Sequence, residues 1–377
     1  MSRRLTVVQM LPALQAGGVE RGTLEIAQAL VEAGHRSIVI SGGGRLVEPL
    51  VRGGSEHFTW DVGRKSPWTL LRYVRRLRAL LCAERVDILH LRSRMPAWVG
   101  YLAWRGMRPA ERPRLVTTVH GFYRVGRYSA VMTRGEAVIA VSNSIRDYLL
   151  QHYPDVPPEH IHVIPRGIDP AHYPRGYQPS AEWFAHWYEQ FPQTQGKRWL
   201  TLPARLTRWK GQETFLELLA TLRDRFQDIH GLLVGGWDER RAGYVNELRH
   251  RITSNGLAEH VTLTGHRSDL REILAASTLV YSLSHDPEAF GRTTLEALAL
   301  GRPVIGYAHG GVAEQLETMF PEGAVPPDDM ARLLETTLSF LTAPRYPSSP
   351  LPFAFHLSTM QERTLATYFS LIGECAK

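Results

Sequence analysis

The chain has 377 residues, 44% hydrophobic and 21% charged, with a net charge of +7. That length exceeds one ordinary core and suits two domains, and the composition excludes a disordered or fibrous chain. No apolar stretch approaches the roughly 18 residues that a membrane span needs, and Cys82 and Cys375 form no metal-spaced or redox pair, so reduced thiols in the cytosol are expected.

The charge is unevenly placed. Residues 1–165 hold 23 Lys and Arg against 13 Asp and Glu, a balance of +10, whereas residues 166–377 hold 21 against 24, a balance of −3. A basic first half points to an anionic partner, a membrane surface or a phosphorylated acceptor. An arginine-rich proteome with no partner behind it is the bland alternative.

Met1-Ser2-Arg3-Arg4 before Leu5–Leu11 superficially resembles a signal peptide, but Gln9 interrupts the run and no small-residue cleavage site follows, so a first strand is expected. Further strands are predicted at Arg36–Ser41, Val86–Leu91, Arg114–His120, Ala137–Ser142 and Ile161–Pro165. Helices are predicted over Val19–Ala33, Trp68–Leu81 and Asn143–His152. The second half repeats the rhythm, with strands at Trp199–Pro203, Gly231–Gly235, His260–Thr264, Leu279–Ser284 and Pro303–Tyr307. Short apolar strands alternating with helices predict βαβ units and parallel sheets. The expected fold is α/β: two Rossmann-like, doubly wound domains facing a central cleft.

The expected division is 1–170, a linker over 171–197, a second domain over 198–350, and 351–377 as a terminal helix packing back on the first domain. Pro170, Pro174, Pro179, Pro192 and Gln193-Thr194-Gln195-Gly196 supply the linker chemistry. Within it, Ser180 can cap a short helix carrying Trp183, Phe184, Trp187 and Tyr188, a face better suited to packing at the domain junction than to a sugar platform. A Pro/Ser-rich break after Pro344 precedes a last helix near Ser358–Ile372.

Four segments carry chemistry. Gly17-Gly18-Val19-Glu20-Arg21 follows the first strand and opens a helix, where backbone N–H groups can meet an anion. It is not GxGxxG, and Ser41-Gly42-Gly43-Gly44 stands where a dinucleotide site needs an acid, so a nicotinamide site is disfavoured. Pro203-Ala204-Arg205-Leu206-Thr207-Arg208-Trp209-Lys210-Gly211 sets Arg205 and Lys210 at a strand-to-helix turn, where two cations can converge on a leaving diphosphate, although solvated surface charge is common there. In the third, Glu288 precedes a helix expected near Gly291, and Glu296 lies about two turns into it. One carboxylate can bind sugar hydroxyls and the other a ribose, with free N–H groups around Phe290–Thr293 between them. The fourth is Thr118-Val119-His120-Gly121-Phe122-Tyr123 at a strand end; a lone His there is more often structural.

The combination closely resembles glycosyltransferase family four, retaining enzymes of GT-B architecture. It rests on Arg-x4-Lys, Glu-x7-Glu, Leu300-Gly301-Arg302-Pro303-Val304-Ile305 and His309-Gly310-Gly311-Val312-Ala313-Glu314. The resemblance implies that Arg205 and Lys210 hold the donor diphosphate. It places Glu288 on the donor sugar with backbone at Ala289, Phe290 and Gly291, and Glu296 on the ribose. It also assigns Gly265-His266-Arg267 to the base, Thr293 and Thr294 to the phosphates, and His120 to a position over the donor sugar. Gly17 and Gly18 join the donor site. Ala204 and Arg166 depart from the usual Gly and Asn. The form Val163-Ile164-Pro165-Arg166-Gly167-Ile168-Asp169, with Val131–Glu136 and Val138–Ser144, is similar to the branch that builds bacterial lipopolysaccharide cores.

No Asp-x-Asp occurs, so a metal-clamped diphosphate is not expected; no cofactor is expected either, and a nucleotide sugar, UDP-linked by family habit, is a substrate. Trp68–Leu81 sets Leu70, Leu71, Val74, Leu77 and Leu81 on one face and Arg72, Arg75, Arg76 and Arg78 around the other. Arg92, Arg94, Arg124, Arg127 and Arg134 add charge near strand ends and are the candidate acceptor-binding residues. A phosphorylated, membrane-linked glycolipid is the favoured acceptor, with the protein cytoplasmic and peripheral at the inner face of the membrane. Another polysaccharide or glycan acceptor, or an inactive GT-B scaffold, is the alternative. An epimerase lacks an acid/base pair here, a pyridoxal-dependent phosphorylase would be much longer, and nucleic acid is disfavoured because no aromatic stacking surface interleaves the basic residues.

Overall fold

The computed structural model describes residues 3–15, 17–237 and 242–373. Two compact units divide the chain, one built from residues up to Gly167 and from Ala354 onward, the other from Ile168–Phe353.

The first unit runs β1 (Thr6–Met10), α1 (Gly18–Glu32), β2 (Arg36–Ser41), α2 (Val47–Arg52), β3 (Glu56–Thr59), α3 (Pro67–Ala83), β4 (Ile88–Leu91), α4 (Arg94–Arg105), β5 (Arg114–Val119), β6 (Ala137–Ala140), α5 (Asn143–His152) and β7 (Ile161–Val163). All seven strands are parallel, in the order β3-β2-β1-β4-β5-β6-β7. β2, β4 and β6 are buried along nearly their whole length because helices cover both faces, whereas the edge strands β3 and β7 are only partly buried. One core layer joins Leu5, Val7, Ile26, Ile88, Val116 and Ile164; another joins Leu11, Leu14, Ala27, Val39 and Leu50.

The second unit runs α6 (Ala181–Gln190), β8 (Arg198–Pro203), α7 (Gln212–Leu222), β9 (Ile229–Val234), α8 (Ala242–Ser254), β10 (Val261–Gly265), α9 (Leu270–Ala276), β11 (Leu279–Ser282), α10 (Arg292–Ala299), β12 (Val304–Tyr307), α11 (Gly310–Met319), β13 (Ala324–Val325) and α12 (Met330–Thr342). Its six strands are again parallel, ordered β10-β9-β8-β11-β12-β13. The last helix, α13 (Leu357–Ile372), belongs to the first unit: Met360 and Tyr368 enter its core, and Leu357, Leu365 and Phe369 pack against it.

The Pro-rich segment that the sequence sets apart as a linker lies within the second unit. Ser180 caps α6, its hydroxyl accepting from Trp183 N–H at 3.1 Å. The aromatic face of that helix packs into the unit's own core, where Trp187 meets Trp199, Leu232, Val234 and Ile273, with Trp183, Phe184 and Tyr188 against them. Trp183 and Trp187 stack at 5.3 Å.

The helix over Trp68–Leu81 also differs from its expected pattern. Only Val74, Leu77 and Leu81 are buried; Leu71 is 46% and Trp68 83% exposed. Arg78 turns inward and donates to the carbonyls of Leu102 and Ala103, and Arg76 covers the Trp60 ring at 4.4 Å. Arg72 and Arg75 remain outside. Cys82 is an exposed free thiol, and Cys375 lies outside the described residues.

Trp187 is the test of the aromatic core. Replacing Trp187 with Ala removes a fully buried indole and its 2.9 Å bond to Thr194, a loss of roughly 3–5 kcal/mol for such truncations. Urea unfolding followed by far-UV circular dichroism is expected to show an earlier transition for the 168–353 unit while the other unit's transition stays in place.

Candidate functional site

Doubly wound sheets bind ligands at the carboxyl ends of strands, at the point where strand order reverses. In the first unit that point lies between β1 and β4, and in the second between β8 and β11. Lys210 and Glu288 lie at the second of these, whereas His120 follows β5 and Gly265-His266-Arg267 follow β10.

In the second unit, β8 ends in Pro203-Ala204-Arg205 and a short 3-10 turn, Arg208–Lys210, leads into α7. The loop after β11 carries Ser284 and Glu288. Lys210 Nζ lies 2.7 Å from Glu288 Oε1, and Ser284 donates to the same oxygen at 2.6 Å. Burial lowers the Lys210 ammonium below its usual value, against the pull of Glu288. Burial alone would raise the Glu288 carboxyl, but the Lys210 charge and the bonds from Lys210 and Ser284 outweigh it and hold the group below the usual carboxylate range. The Lys210 ammonium also sits 3.9 Å from the Trp209 ring centroid.

Two glycines allow this closeness. Gly211 has φ +74°, and a Cβ there would lie 2.0 Å from the Leu283 carbonyl oxygen, so only glycine lets the turn after β8 press on the end of β11. Gly310 has φ +58°, and its Cβ would meet the Glu288 carbonyl oxygen at 2.4 Å. His309 closes the far side with its Nε2 2.8 Å from the Ser284 carbonyl oxygen, and Gly311 N–H donates to the Glu288 carbonyl at 2.8 Å. Two backbone segments thus hold the Glu288 loop from both sides. Sequence reasoning missed Ser284 and His309 as supports; their adjacency to the two motifs was the available signal.

α10 starts at Arg292 with Gly291 as its left-handed N-cap. Thr293 is half-buried. Thr294 is buried and its hydroxyl has no hydrogen-bond partner among the described residues. Glu296 is 2% exposed, with Arg292 Nε at 3.3 Å. Phe290 is buried, and its carbonyl accepts from Gln315. Arg205 is exposed, its carbonyl accepting from Gln212 at 2.9 Å.

At the end of β10, Gly265 is left-handed and His266 exposed. Arg267 is committed to the protein rather than offered to a base. It bonds both oxygens of Asp269 and Gln190 Oε1, and lies 5.3 Å from the Trp187 ring.

In the first unit, Gly17 and Gly18 open α1, and the Glu20 carboxylate folds back over Gly17, where a Cβ would meet Oε2 at 2.7 Å. His120, at the end of β5, is half-buried; its backbone N–H points at the Tyr123 hydroxyl, and Arg166 lies against its ring. Burial, then Arg166, Arg92 and His90, push the imidazole well below its usual value.

The five arginines assigned to an acceptor separate. Arg124, Arg127 and Arg134 are exposed on the segment between β5 and β6. Arg94 is half-buried over the Tyr123 and Tyr128 rings at 4.6 and 5.3 Å. Arg92 is a correction: it is 1% exposed, and its Nη1 donates to Gln9 at 2.7 Å. Burial lowers it to about 10. It braces the β1–β4 junction instead of presenting charge at the surface.

Comparison with known proteins follows the same halves. Residues 16–172 match the model of Glycosyltransferase Family 4 and residues 186–349 that of Glycosyl transferases group 1. A crystal structure of a glycosyltransferase from Rickettsia africae ESF-5 superposes with a TM-score of 0.84 at 30% identity, covering 98% of this chain and 99% of that one. Anabaena Alr3699/HepE in complex with UDP-glucose shares the fold at TM-score 0.81 and 21% identity, over 97% of this chain and 100% of that one. The lipopolysaccharide core biosynthesis mannosyltransferase LpsB of Rhizobium meliloti is 26% identical over 222 residues, 56% of this chain and 57% of the relative. The chain spans about half the length of the curated relatives it matches. On the two adjoining family matches and the full-length likeness to the Rickettsia enzyme, the chain belongs to the GT-B glycosyltransferases, with a family 4 first half and a group 1 second half.

Proposed function

We propose that this protein transfers a sugar from a UDP-linked donor to a phosphorylated glycolipid, a lipopolysaccharide core, with retention at the anomeric carbon and without a metal ion. The observation that carries the reading is the Lys210–Glu288 pair at the β8–β11 switch point, with the start of α10 following Glu288 in the same loop. An ammonium, the exposed Arg205 and the positive end of a helix start suit a diphosphate. Glu288 suits sugar hydroxyls, and the buried Glu296 suits a ribose.

The chemistry follows from charge. As the bond between the anomeric carbon and the diphosphate breaks, negative charge grows on the leaving oxygen, and cations already in place stabilise that state more than the ground state. The acceptor oxygen bonds to the same face of the carbon, and its proton passes to the leaving phosphate. The UDP-glucose complex of the Anabaena neighbour and the core-building role of LpsB support the choice of donor and acceptor.

We also propose peripheral attachment to the inner face of the cytoplasmic membrane. Among the described residues no helix is long and apolar enough to cross a membrane. The start of α3, however, exposes Trp68 and Leu71 among Arg64, Lys65, Arg72 and Arg75. An aromatic and an aliphatic side chain ringed by cations match the headgroup layer of an anionic bilayer.

Three measurements check these assignments. In a thermal-shift assay with EDTA present, UDP is expected to raise the melting temperature by several degrees at saturation, GDP and ADP less, and Glu296→Ala to abolish the shift. No shift with any nucleotide would return the chain to the scaffold reading. Lys210→Met is expected to lower kcat/KM by about 10²–10³ in a transfer assay, the scale of losing one preorganised charge donor. Unchanged turnover would remove Lys210 from the mechanism. In flotation with phosphatidylglycerol-containing vesicles the native chain should float and Trp68→Ser/Leu71→Ser should stay in the dense fraction, whereas neutral vesicles should bind neither.

A further inference from the structure

Arg166 stands out in the sequence only as a departure from Asn, yet it is 7% exposed and closely confined. Its Nη2 lies 2.5 Å from His120 Nδ1 and 3.4 Å from Nε2, beside the Nδ1 edge of the ring. Nη1 faces the Met360 sulfur of α13 at 3.8 Å. α1 closes the third side: a Cβ on Gly22 would meet Nη1 at 2.5 Å and Cζ at 2.9 Å. The guanidinium is therefore boxed between a thioether, the bare backbone face of a helix and an imidazole.

We propose that Arg166 is a positioning residue that, added to burial, keeps His120 uncharged, so that His120 meets substrate as a neutral ring and the standing positive charge beside it belongs to Arg166. An arginine stays protonated in proteins, and a second cation at this distance is strongly disfavoured. The other titratable groups acting on the ring, Arg92 and His90, push the same way. β4 and its end contribute His90 and Arg92; the loop after β5 contributes the Tyr123 hydroxyl; α13 contributes Met360 and Tyr368, the latter bonded to His90 at 2.6 Å. Glu25 of α1 acts on Arg92. A ring that cannot hold a proton is no general base. The acceptor's proton must then go to the leaving phosphate. This consequence rests on the transferase reading, but the protonation state does not.

The test is a nuclear magnetic resonance titration of the full chain labelled at histidine, from pH 5 to 8.5, with the His120 ring assigned by His120→Gln. In the native protein His120 is expected not to titrate. In Arg166→Met, and in Gly22→Ala, where the added methyl displaces the guanidinium without replacing either polar residue, the ring should titrate inside the window, its affinity for the proton raised about tenfold or more. Arg166→Lys, which restores a cation, should return it to the untitrated state. Nucleotide shifts measured on the same samples separate this question from that of the transferase. A native His120 titrating near its ordinary value of 6.5, or both Arg166→Met and Gly22→Ala leaving the ring untitrated at native melting temperatures, would overturn the proposal.

Discussion

Taking a lysine and a carboxylate out of water costs several kcal/mol per ion, and their attraction repays this only if the geometry is held and the remaining lone pairs are satisfied. The Lys210–Glu288 pair meets that condition through its surroundings. Ser284 supplies the third hydrogen-bonding group, and the backbones at Gly211 and Gly310 approach so closely that neither charged group can drift. The β8–β11 junction sets where both segments leave the sheet. The glycines and the two loops thus serve one constraint: two opposite charges, 13% and 21% exposed, held together at a strand crossover.

The first unit solves a different problem. His90, His120, Arg92 and Arg166 crowd the carboxyl ends of its central strands, and the hydrogen bonds that Arg92 and the two imidazoles make there are with neutral groups or with Arg166. His90 bridges Thr118 and Tyr368 at 2.6 Å each, so a side chain from the last helix completes a network begun by the fourth and fifth strands. Low dielectric makes such a network sensitive to every member. It also explains why α13, far away in sequence, is needed in this unit: Met360 and Tyr368 supply contacts that no earlier segment offers.

Much of this was legible in the sequence. Central parallel strands are covered on both faces, so Ile38-Val39-Ile40, Ile88-Leu89 and Ala137–Ala140 stand out as short apolar runs. The edge strands Glu56–Thr59 and Ala324–Val325 escaped because one is half polar and the other only two residues long. The Lys210 and Glu288 segments leave the sheet at the second switch point, where turn and helix-start residues mark them, whereas His120 and Gly265–Arg267 follow other strands. What the sequence could not show was the direction of single side chains. Arg92, Arg78 and Arg267 read as available charge, yet one braces Gln9, one satisfies carbonyls at the end of α4, and one ties a turn to α6. Leu71 read as core by periodicity, but the helix is rotated so that Val74, Leu77 and Leu81 alone are buried.

The uneven charge of the chain follows from this division. In the second unit the cation that matters, Lys210, is locked against a carboxylate, so function needs no net excess of charge there. In the first unit Arg124, Arg127 and Arg134 stand exposed on loop segments, and Arg94 beneath them is held by aromatic rings. Exposed loop positions tolerate substitution at little structural cost, whereas a residue confined by glycine backbones does not. A fold arranged in this way can keep one donor chemistry and exchange acceptors by altering a few surface arginines. On the proposed reading, the acceptor is sought in the exposed charge of the first unit, and the reaction type in the Lys210–Glu288 pair of the second.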